Sequence, residues 1–171
     1  TTEEYAQREK YPHSLFVADY VVTRTISWGD LNGAGLIFGK DYVAGGVDYT
    51  LRAPSCGSGF TGSDDSERGT PQSNEWDAVL DKNSGYVKNW NDIYSWGQDT
   101  SSYESSPRAV RGYYSARGWS HDYATNFSPS VGFRPVLEVL NPDELGSDGL
   151  KAVTLDLGGG KLGGSSDAIH I

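Results

Sequence analysis

Short runs of alternating apolar and polar residues, each closed by turn residues, recur along this chain, whereas long runs with helical spacing are rare. The clearest runs lie at residues 15–26, 49–53, 109–114 and 132–140. Successive side chains of a β-strand point to opposite faces, so such runs predict strands with one buried face. The 22 Gly residues suit the many turns between them. The pattern therefore predicts a strand-and-loop protein rather than a helical bundle.

Two segments have the features of short helices. Residues 27–31 follow the first strand and can open one helix. In residues 72–80, Ser73 or Asn74 can cap the first free backbone N–H groups, and Trp76 and Leu80 share one helix face. With the strands, these segments predict an α+β protein of two short helices and antiparallel sheets.

Three stretches are predicted to be mainly loops. Residues 33–46 are rich in turn residues, with room for a short strand at residues 36–38. Residues 55–71 consist largely of Gly, Ser, Asp and Thr and predict an exposed loop. The residues between the last two strands show no periodicity, and a loop of that length in a compact domain is usually functional or mobile.

The net charge, the apolar content and the single cysteine limit the functions that we expect for this chain. The formal net charge is −9 at pH 7, and the Lys and Arg residues are scattered singly. Nucleic-acid binding needs a basic face, so we expect no nucleic-acid partner. No stretch approaches the roughly 20 apolar residues that cross a bilayer, so we expect no membrane span in this chain. Cys56 is the single cysteine, which excludes an intrachain disulfide and favours a small buried residue.

The composition changes after residue 140. Residues 141–150 are rich in Asn, Pro, Asp, Gly and Ser and predict a linker. Residues 151–157 alternate as a strand and residues 166–171 can return beside it. We therefore predict one domain over residues 1–140, followed at residues 151–171 by a β-hairpin or the truncated start of a further β-rich domain.

Four separated segments carry a family resemblance. They are residues 16–25 (FVADYVVTRT), residues 51–54 with 75–77 (LRAP and EWD), residues 108–115 (RAVRGYYS) and residues 131–136 (VGFRPV). In this order they resemble the motifs of formylglycine-generating-enzyme-like domains, with residues 55–71 as an insertion. The resemblance implies a C-type lectin fold for about three quarters of the chain. It also implies scaffold roles for the following residues: Glu75, Trp76, Arg111, Gly132 and Arg134.

The enzymatic branches of this family need groups that the chain supplies poorly. One branch uses a pair of redox-active cysteines, whereas Cys56 is alone. Another binds iron through several clustered histidines, whereas His13, His121 and His170 are spread over the chain. The consecutive residues Ser120, His121 and Asp122 cannot converge as a catalytic triad. We predict that the chain is not an enzyme, with an oxidative enzyme of the sulfatase-modifying type as the alternative.

The chain also resembles the variable proteins of diversity-generating retroelements, which share this fold. In that family, residues before the "glycine-phenylalanine-arginine" strand vary at adenines of Asn codons, giving residues such as Tyr, Ser, His and Asp but not Lys, Glu, Gln, Met or Trp. Residues 113–130 contain no Lys, Glu, Gln or Met, and Trp119 would be a fixed position. Tyr and Trp give rigid contact area and Ser and Asn give adaptable hydrogen bonds, as in antibody loops.

A fixed-specificity bacterial surface module is a second alternative. Sequences ending in "GFRPVL", as residues 132–137 do, are similar to surface proteins of this fold without diversification. Residues 153–171 resemble the start of a β-grasp repeat of bacterial surface proteins. Both resemblances imply an extracellular, cell-surface or virion-surface location.

The resulting hypothesis is a receptor or adhesin-type domain that recognises a protein or glycan on another cell or particle. The predicted ligand-binding residues are Trp90, Tyr94, Trp96, Tyr113, Tyr114, Ser115, Trp119, His121, Asp122, Tyr123 and Asn126. For Trp90 and Trp96 the competing interpretation is a place in the core, which is the commoner one. We expect no cofactor. Calcium is the only one left open, at residues 64–67 or 30–32, although neither spacing matches a dedicated calcium loop.

Overall fold

The computed structural model describes residues 13–62, 68–81, 90, 92–140, 154–155 and 169–170. Over these residues the protein is mostly sheet with two short helical segments, which confirms the α+β prediction. The helical segments are α1 (Trp28–Gly33) and a π-helical segment (Asp77–Asp81). The strands are β1 (Ser14–Val17), β2 (Thr23–Arg24), β3 (Lys40–Ala44), β4 (Val47–Arg52), β5 (Gly59–Thr61), β6 (Arg68–Thr70), β7 (Ile93–Thr100), β8 (Pro107–Tyr113), β9 (Trp119–Tyr123), β10 (Val131–Phe133), β11 (Val136–Val139), β12 (Thr154–Leu155) and β13 (Ile169–His170).

Two larger sheets organise these strands. One has four strands in the order β1-β11-β4-β3, and the other has five in the order β2-β10-β7-β8-β9. Neighbours in both sheets are antiparallel except β7 and β10, which are parallel. The pairs β5–β6 and β12–β13 form two further antiparallel ribbons. The last pair falls within residues 151–171, whereas the predicted linker at residues 141–150 lies outside the described residues.

The single strands predicted at residues 15–26 and 132–140 are each divided between the two sheets. β1 and β11 pair in the four-stranded sheet, and β2 and β10 pair in the five-stranded sheet. The two connections run side by side, with the Ala18 N–H donating to the Pro135 carbonyl at 3.1 Å. Pro135 has no N–H to continue a ladder, so the strand ends there and the chain changes sheet.

Side-chain caps fix where the helical segments begin. The Ser27 hydroxyl accepts the Asp30 N–H at 3.0 Å and donates to the Asp30 carboxylate at 2.6 Å, which starts α1. The Asn74 side-chain oxygen accepts the Asp77 N–H at 2.9 Å. The predicted helix over residues 72–80 therefore starts at Asn74, the second of its two candidate caps, and its last turns are π-helical.

Three parts of the β-structure lie in stretches that were predicted to be mainly loops. β3 lies in the stretch expected to be turns, while the short strand expected at residues 36–38 is a turn around fully buried Ile37. β5 and β6 form a hairpin inside the loop expected at residues 55–71. β9 lies in the stretch without periodicity and pairs with β8 along its whole length. These strands are short or polar, and pairing with a neighbour rather than apolar alternation selects them.

The five-stranded sheet has a core cluster on each face. Trp96 of β7 and Val110 of β8 pack with Trp28 and Leu31 of α1 on one face. On the other face, residues of β8 and β9 pack with the π-helical segment and the chain after β4. That second cluster comprises Cys56, Trp76, Leu80, Trp90, Ala109, Ala116 and Trp119. The sheet is thus held rigid from both sides.

Arg52 and Arg134 are fully buried. Two guanidinium nitrogens of Arg52 bind the Glu75 carboxylate at 2.5 and 2.7 Å, and its Nε binds Glu138 at 3.1 Å. Burial alone would lower the pKa of Arg52, but the hydrogen bonds and charges of these two carboxylates raise it. Arg134 donates to the Ala18 carbonyl at 2.8 Å, and burial lowers its pKa to about 10. Both therefore stay charged at neutral pH.

Arg111 of β8 is also fully buried, and it joins three parts of the chain. Its guanidinium binds Asp77 of the π-helical segment at 2.5 Å and the Cys56 carbonyl at 3.0 Å. It also donates to the Gly118 carbonyl at 3.0 Å and the Ala116 carbonyl at 3.3 Å, in the turn between β8 and β9. A planar guanidinium has enough donors for all four contacts.

Within the part of the chain that the structure describes, no helix combines the length and apolar character needed to cross a bilayer. The six-residue α1 is far shorter than the roughly 20 residues that such a crossing takes.

We predict that Asp77→Ala lowers the free energy of unfolding by about 3–5 kcal/mol, because it leaves the Arg111 guanidinium buried without its counter-charge. Urea unfolding followed by tryptophan fluorescence measures the change. Asp41→Ala is the matched control, since Asp41 only meets the exposed hydroxyl of Thr50, at 2.6 Å, and the expected loss is below about 1 kcal/mol. Equal losses in the two variants would contradict a central role for the Arg111 pair.

Candidate ligand-binding surface

The three tryptophans predicted to bind ligand are buried, and this corrects their assignment. Trp96 is fully buried and donates its indole N–H to the Ile26 carbonyl at 2.9 Å. Trp119 is buried and donates to the Gly57 carbonyl at 3.0 Å. Trp90 is buried and packs against Trp76, with ring centroids 5.9 Å apart. Each indole finds its apolar contacts inside the core, so these residues support the surface rather than form it.

The other predicted residues remain accessible to different degrees. Tyr114 and Tyr123 are 74% and 57% exposed, and Asn126 is exposed. The remaining five are half-buried: Tyr94, Tyr113, Ser115, His121 and Asp122. The accessible set lies at the start of β7, at the end of β8, on β9 and in the turns at both ends of β9.

Three of these residues form one group, which we call the tyrosine cluster: Tyr94, Tyr113 and Tyr114. The rings of Tyr94 and Tyr113 are 4.7 Å apart with a 32° tilt. The rings of Tyr113 and Tyr114 are 4.5 Å apart and nearly perpendicular, at 87°. Edge-to-face and tilted arrangements of this kind are the favoured geometries of aromatic pairs.

The backbone explains how Tyr113 reaches Tyr94. Tyr113 pairs with Ile93 across β7 and β8, so a regular strand would place its side chain on the opposite face from Tyr94. Gly112 and Tyr113 instead have φ values of 100° and 83°, in the left-handed region. This turn at the strand end brings the two rings together. A Cβ at Gly112 would also lie 3.0 Å from the ring of Trp90. Glycine therefore fits this position both because it tolerates the positive φ and because it leaves room for the Trp90 ring.

A second group, which we call the β9 aromatic cluster, contains Phe60, Tyr103, Trp119 and His121. Phe60 stacks on Trp119 at 5.4 Å and lies 5.6 Å from Tyr103, while Tyr103 lies 6.3 Å from His121. Phe60 and Tyr103 are exposed. Sequence reasoning missed both, because Phe60 lies in the loop predicted at residues 55–71 and Tyr103 lies in a stretch for which no element was predicted. The available signal was an aromatic residue isolated in a Ser- and Gly-rich stretch.

Hydrogen bonds fix the turn that follows β9. The Asp122 carboxylate accepts the Asn126 amide at 2.7 Å and the Tyr123 N–H at 2.8 Å. The Asn126 N–H donates to the Tyr123 carbonyl at 2.9 Å. Asp122 and Asn126 thus hold the turn, which presents Tyr123 and the 60% exposed Phe127, a residue that sequence reasoning also missed.

Core residues hold the turn before β9. Ala116 is buried, and its carbonyl accepts the Trp76 indole N–H at 2.6 Å as well as Arg111. Exposed Tyr114 lies two residues earlier. A Cβ at Gly118 would lie 2.1 Å from the Gly112 carbonyl oxygen, so glycine is required there. The exposed tyrosine therefore stands on a fixed support.

The groups that could perform chemistry have few accessible atoms. Cys56 is fully buried, and desolvation raises the pKa of its thiol well above the ordinary value. The His121 Nδ1 meets the Ser101 hydroxyl at 2.8 Å, but Ser101 is buried and its hydroxyl also accepts the Tyr103 N–H. A thiol nucleophile needs an exposed and deprotonated sulfur, which Cys56 does not offer, and the Ser101 hydroxyl is buried beside His121.

Among the described residues, no group of three or more His, Cys, Asp or Glu side chains could hold a metal ion. Of the two predicted calcium segments, residues 64–67 lie outside the described residues. In the other, the Asp30 carboxylate accepts the hydrogen bond of the Ser27 cap. The absence of a cofactor stays a prediction.

We predict that Cys56 reacts with a thiol reagent only after unfolding, because its sulfur is buried and protonated. The release of thionitrobenzoate from Ellman's reagent, followed with and without 6 M guanidinium chloride, measures this. The reagent's reaction with free cysteine in the same buffers is the control. Rapid labelling of the folded protein would show an accessible thiolate and would favour the oxidative-enzyme alternative.

Comparison with known proteins gives no relative for this surface. No protein-family model matches the chain, and neither the curated proteins nor the solved structures contain a match. What the surface does therefore has to be inferred from its own geometry.

Proposed function

We propose that this chain is a recognition domain that binds a protein or glycan through aromatic side chains around β9. The observation that carries the proposal is the exposure of Tyr103, Tyr114 and Tyr123, at 55%, 74% and 57%. Exposed aromatic residues that lie beside other aromatic rings are typical of interaction sites, and Tyr114 contacts Tyr113 while Tyr103 contacts Phe60. Tyrosine is enriched at binding hot spots because it gives a large contact area and a hydroxyl with few rotatable bonds.

The turns on either side of β9 are held rigidly, which favours a binding function for them over the interpretation that they are only solvated loops. The turn before β9 is tied to Arg111 and Trp76, and the turn after it is tied by Asp122 and Asn126. Preorganised side chains lose little conformational entropy on binding. Binding residues placed on loops above a rigid scaffold are a common arrangement in proteins.

The proposal includes two further statements: the chain has a C-type lectin fold, and the residues of its binding surface are diversified. Two short helices and mainly antiparallel sheets are consistent with that fold. Exposed Tyr114, Tyr123 and Asn126 are of residue types that adenine-directed changes produce, whereas Trp119, which they cannot produce, is buried. We therefore propose a variable protein that acts outside the cell, with a fixed-specificity surface module as the alternative.

The test compares exposed tyrosines with an equally exposed residue elsewhere. The wild type is screened by biolayer interferometry against immobilised glycans and purified cell-surface proteins. For a partner so found, Tyr103→Ser, Tyr114→Ser and Tyr123→Ser are each expected to weaken binding, by about tenfold at the positions that act as hot spots. Their unfolding free energies should change little, because the three side chains are exposed.

Val43→Ser is the control, since Val43 is 73% exposed on β3, at the edge of the other sheet. Its affinity is expected to equal that of the wild type. Binding that survives all three tyrosine substitutions, or falls only with Val43→Ser, would place the binding face elsewhere and contradict the proposal.

A further inference from the structure

The tyrosine cluster has an acidic neighbour, Asp92, which bears on what the cluster binds. Asp92 is exposed and directly precedes Ile93, the β7 residue that pairs with Tyr113. Desolvation raises the pKa of Tyr113, and the charges of Tyr114 and Asp92 and a hydrogen bond with Tyr114 raise it further. The register of β7 and β8 places the backbone of Asp92 next to that of Tyr113 and Tyr114, since Ile93 is paired with Tyr113. The raised pKa keeps the Tyr113 hydroxyl uncharged at neutral pH.

No cation of the described chain occupies this site. Elsewhere in the described residues, cations lie over aromatic rings: Lys40 over Tyr42, Arg108 over Trp28, Arg111 over Trp76 and Arg134 over Trp90. Tyr113 and Tyr114 have no such contact, and Asp92 forms no ion pair with a described residue. Among the described residues, no cation thus contacts the two rings or the carboxylate.

We propose that Tyr113, Tyr114 and Asp92 form a receptor site for a lysine or arginine side chain of a protein partner. The inference rests on the proposed recognition function and names the chemistry of its ligand. The 74% exposed Tyr114 offers a ring face, and the Tyr113 ring stands nearly perpendicular to it at 4.5 Å. A cation that meets an aromatic face gains from the ring quadrupole, and Asp92 supplies the opposite charge.

Net charge favours the same partner. The chain carries 23 acidic and 14 basic residues, so its formal charge of −9 attracts a basic surface and steers its approach. A neutral glycan would gain nothing from this field or from the Asp92 charge. The charge complementarity therefore favours a basic protein surface over a glycan at this cluster.

Small probes that differ in one charge test the site directly. N-acetyl-lysinamide and N-acetyl-argininamide are titrated into protein carrying ¹³C-labelled tyrosine rings, with N-acetyl-norleucinamide as the neutral analogue. The cationic probes are expected to shift the ring resonances of Tyr113 and Tyr114, and the neutral analogue is not. Raising the salt concentration from 0.05 to 0.5 M is expected to weaken the binding of the cationic probes.

Three variants separate charge, ring and hydroxyl. Asp92→Asn removes the charge and keeps the backbone, because asparagine tolerates the left-handed φ of 55° at this position. Asp92→Asn and Tyr114→Leu are each expected to weaken the cationic probes about fivefold. Tyr114→Phe keeps the ring and is expected to stay within about twofold of the wild type.

The outcomes distinguish this inference from the proposed function. Equal shifts with N-acetyl-norleucinamide, or unchanged affinity in Asp92→Asn, would overturn the cation site. A partner whose binding depends on Tyr123 but not on Asp92 or Tyr114 would also overturn it, while leaving the recognition function intact. Cationic probes that bind as expected would support the site even if the interferometry screen found that the macromolecular partner uses another face.

Discussion

The buried guanidinium of Arg111 is the contact on which the surface around β9 depends. It binds the Asp77 carboxylate, the Cys56 carbonyl and two carbonyls of the turn that leads into β9. A buried charge is costly unless hydrogen bonds and an opposite charge surround it, so any displacement of these partners is penalised. Arg111 therefore couples the position of the exposed turn to the packing of the core. The segment that presents Tyr114 is therefore held in place, although it lies in a stretch whose sequence shows no periodicity.

The described structure has two parts, a buried part that we call the frame and an accessible part that we call the display. The frame consists of the two clusters on the five-stranded sheet and the buried arginines, and it includes the three tryptophans first assigned to binding. The display consists of the tyrosine cluster, the three residues of the β9 aromatic cluster other than Trp119, and the turn held by Asp122 and Asn126. Tyr114 and Tyr123 of the display are exposed, whereas Tyr94 packs against the core. Changing the exposed side chains alters what the surface offers without altering the frame, which is the property that a diversified receptor would need.

The sequence allowed the frame to be predicted better than the display. Glu75, Trp76, Arg111, Gly132 and Arg134 were expected to be scaffold, and four of their side chains are in buried pairs or packing, while a Cβ at Gly132 would lie 2.2 Å from the Thr23 carbonyl oxygen. Periodicity located most strands but not β3, β5, β6, β7 or β9. All of these except the eight-residue β7 are short or polar strands, which are selected by their neighbours. Phe60 could not be placed beside Trp119 from the sequence, since 58 intervening residues have to fold before the two rings meet. The burial of Trp119 likewise depends on the Gly57 carbonyl that accepts its indole N–H.

The most direct test of the division into frame and display is deep sequencing of the locus encoding residues 85–135, with its flanks, across a natural population. Substitutions are expected to concentrate at the codons of Tyr114, Tyr123 and Asn126, with a nearby near-copy of the segment that carries adenines at those sites. The codons of buried Arg111, Ala116 and Trp119 are expected to be invariant, and exposed Val43, amplified from the same genomes, is expected to vary no more than the rest of the surface. Invariant codons throughout, with no near-copy, would contradict diversification and leave a fixed-specificity surface module. Substitutions spread equally over buried and exposed positions would contradict the division into frame and display.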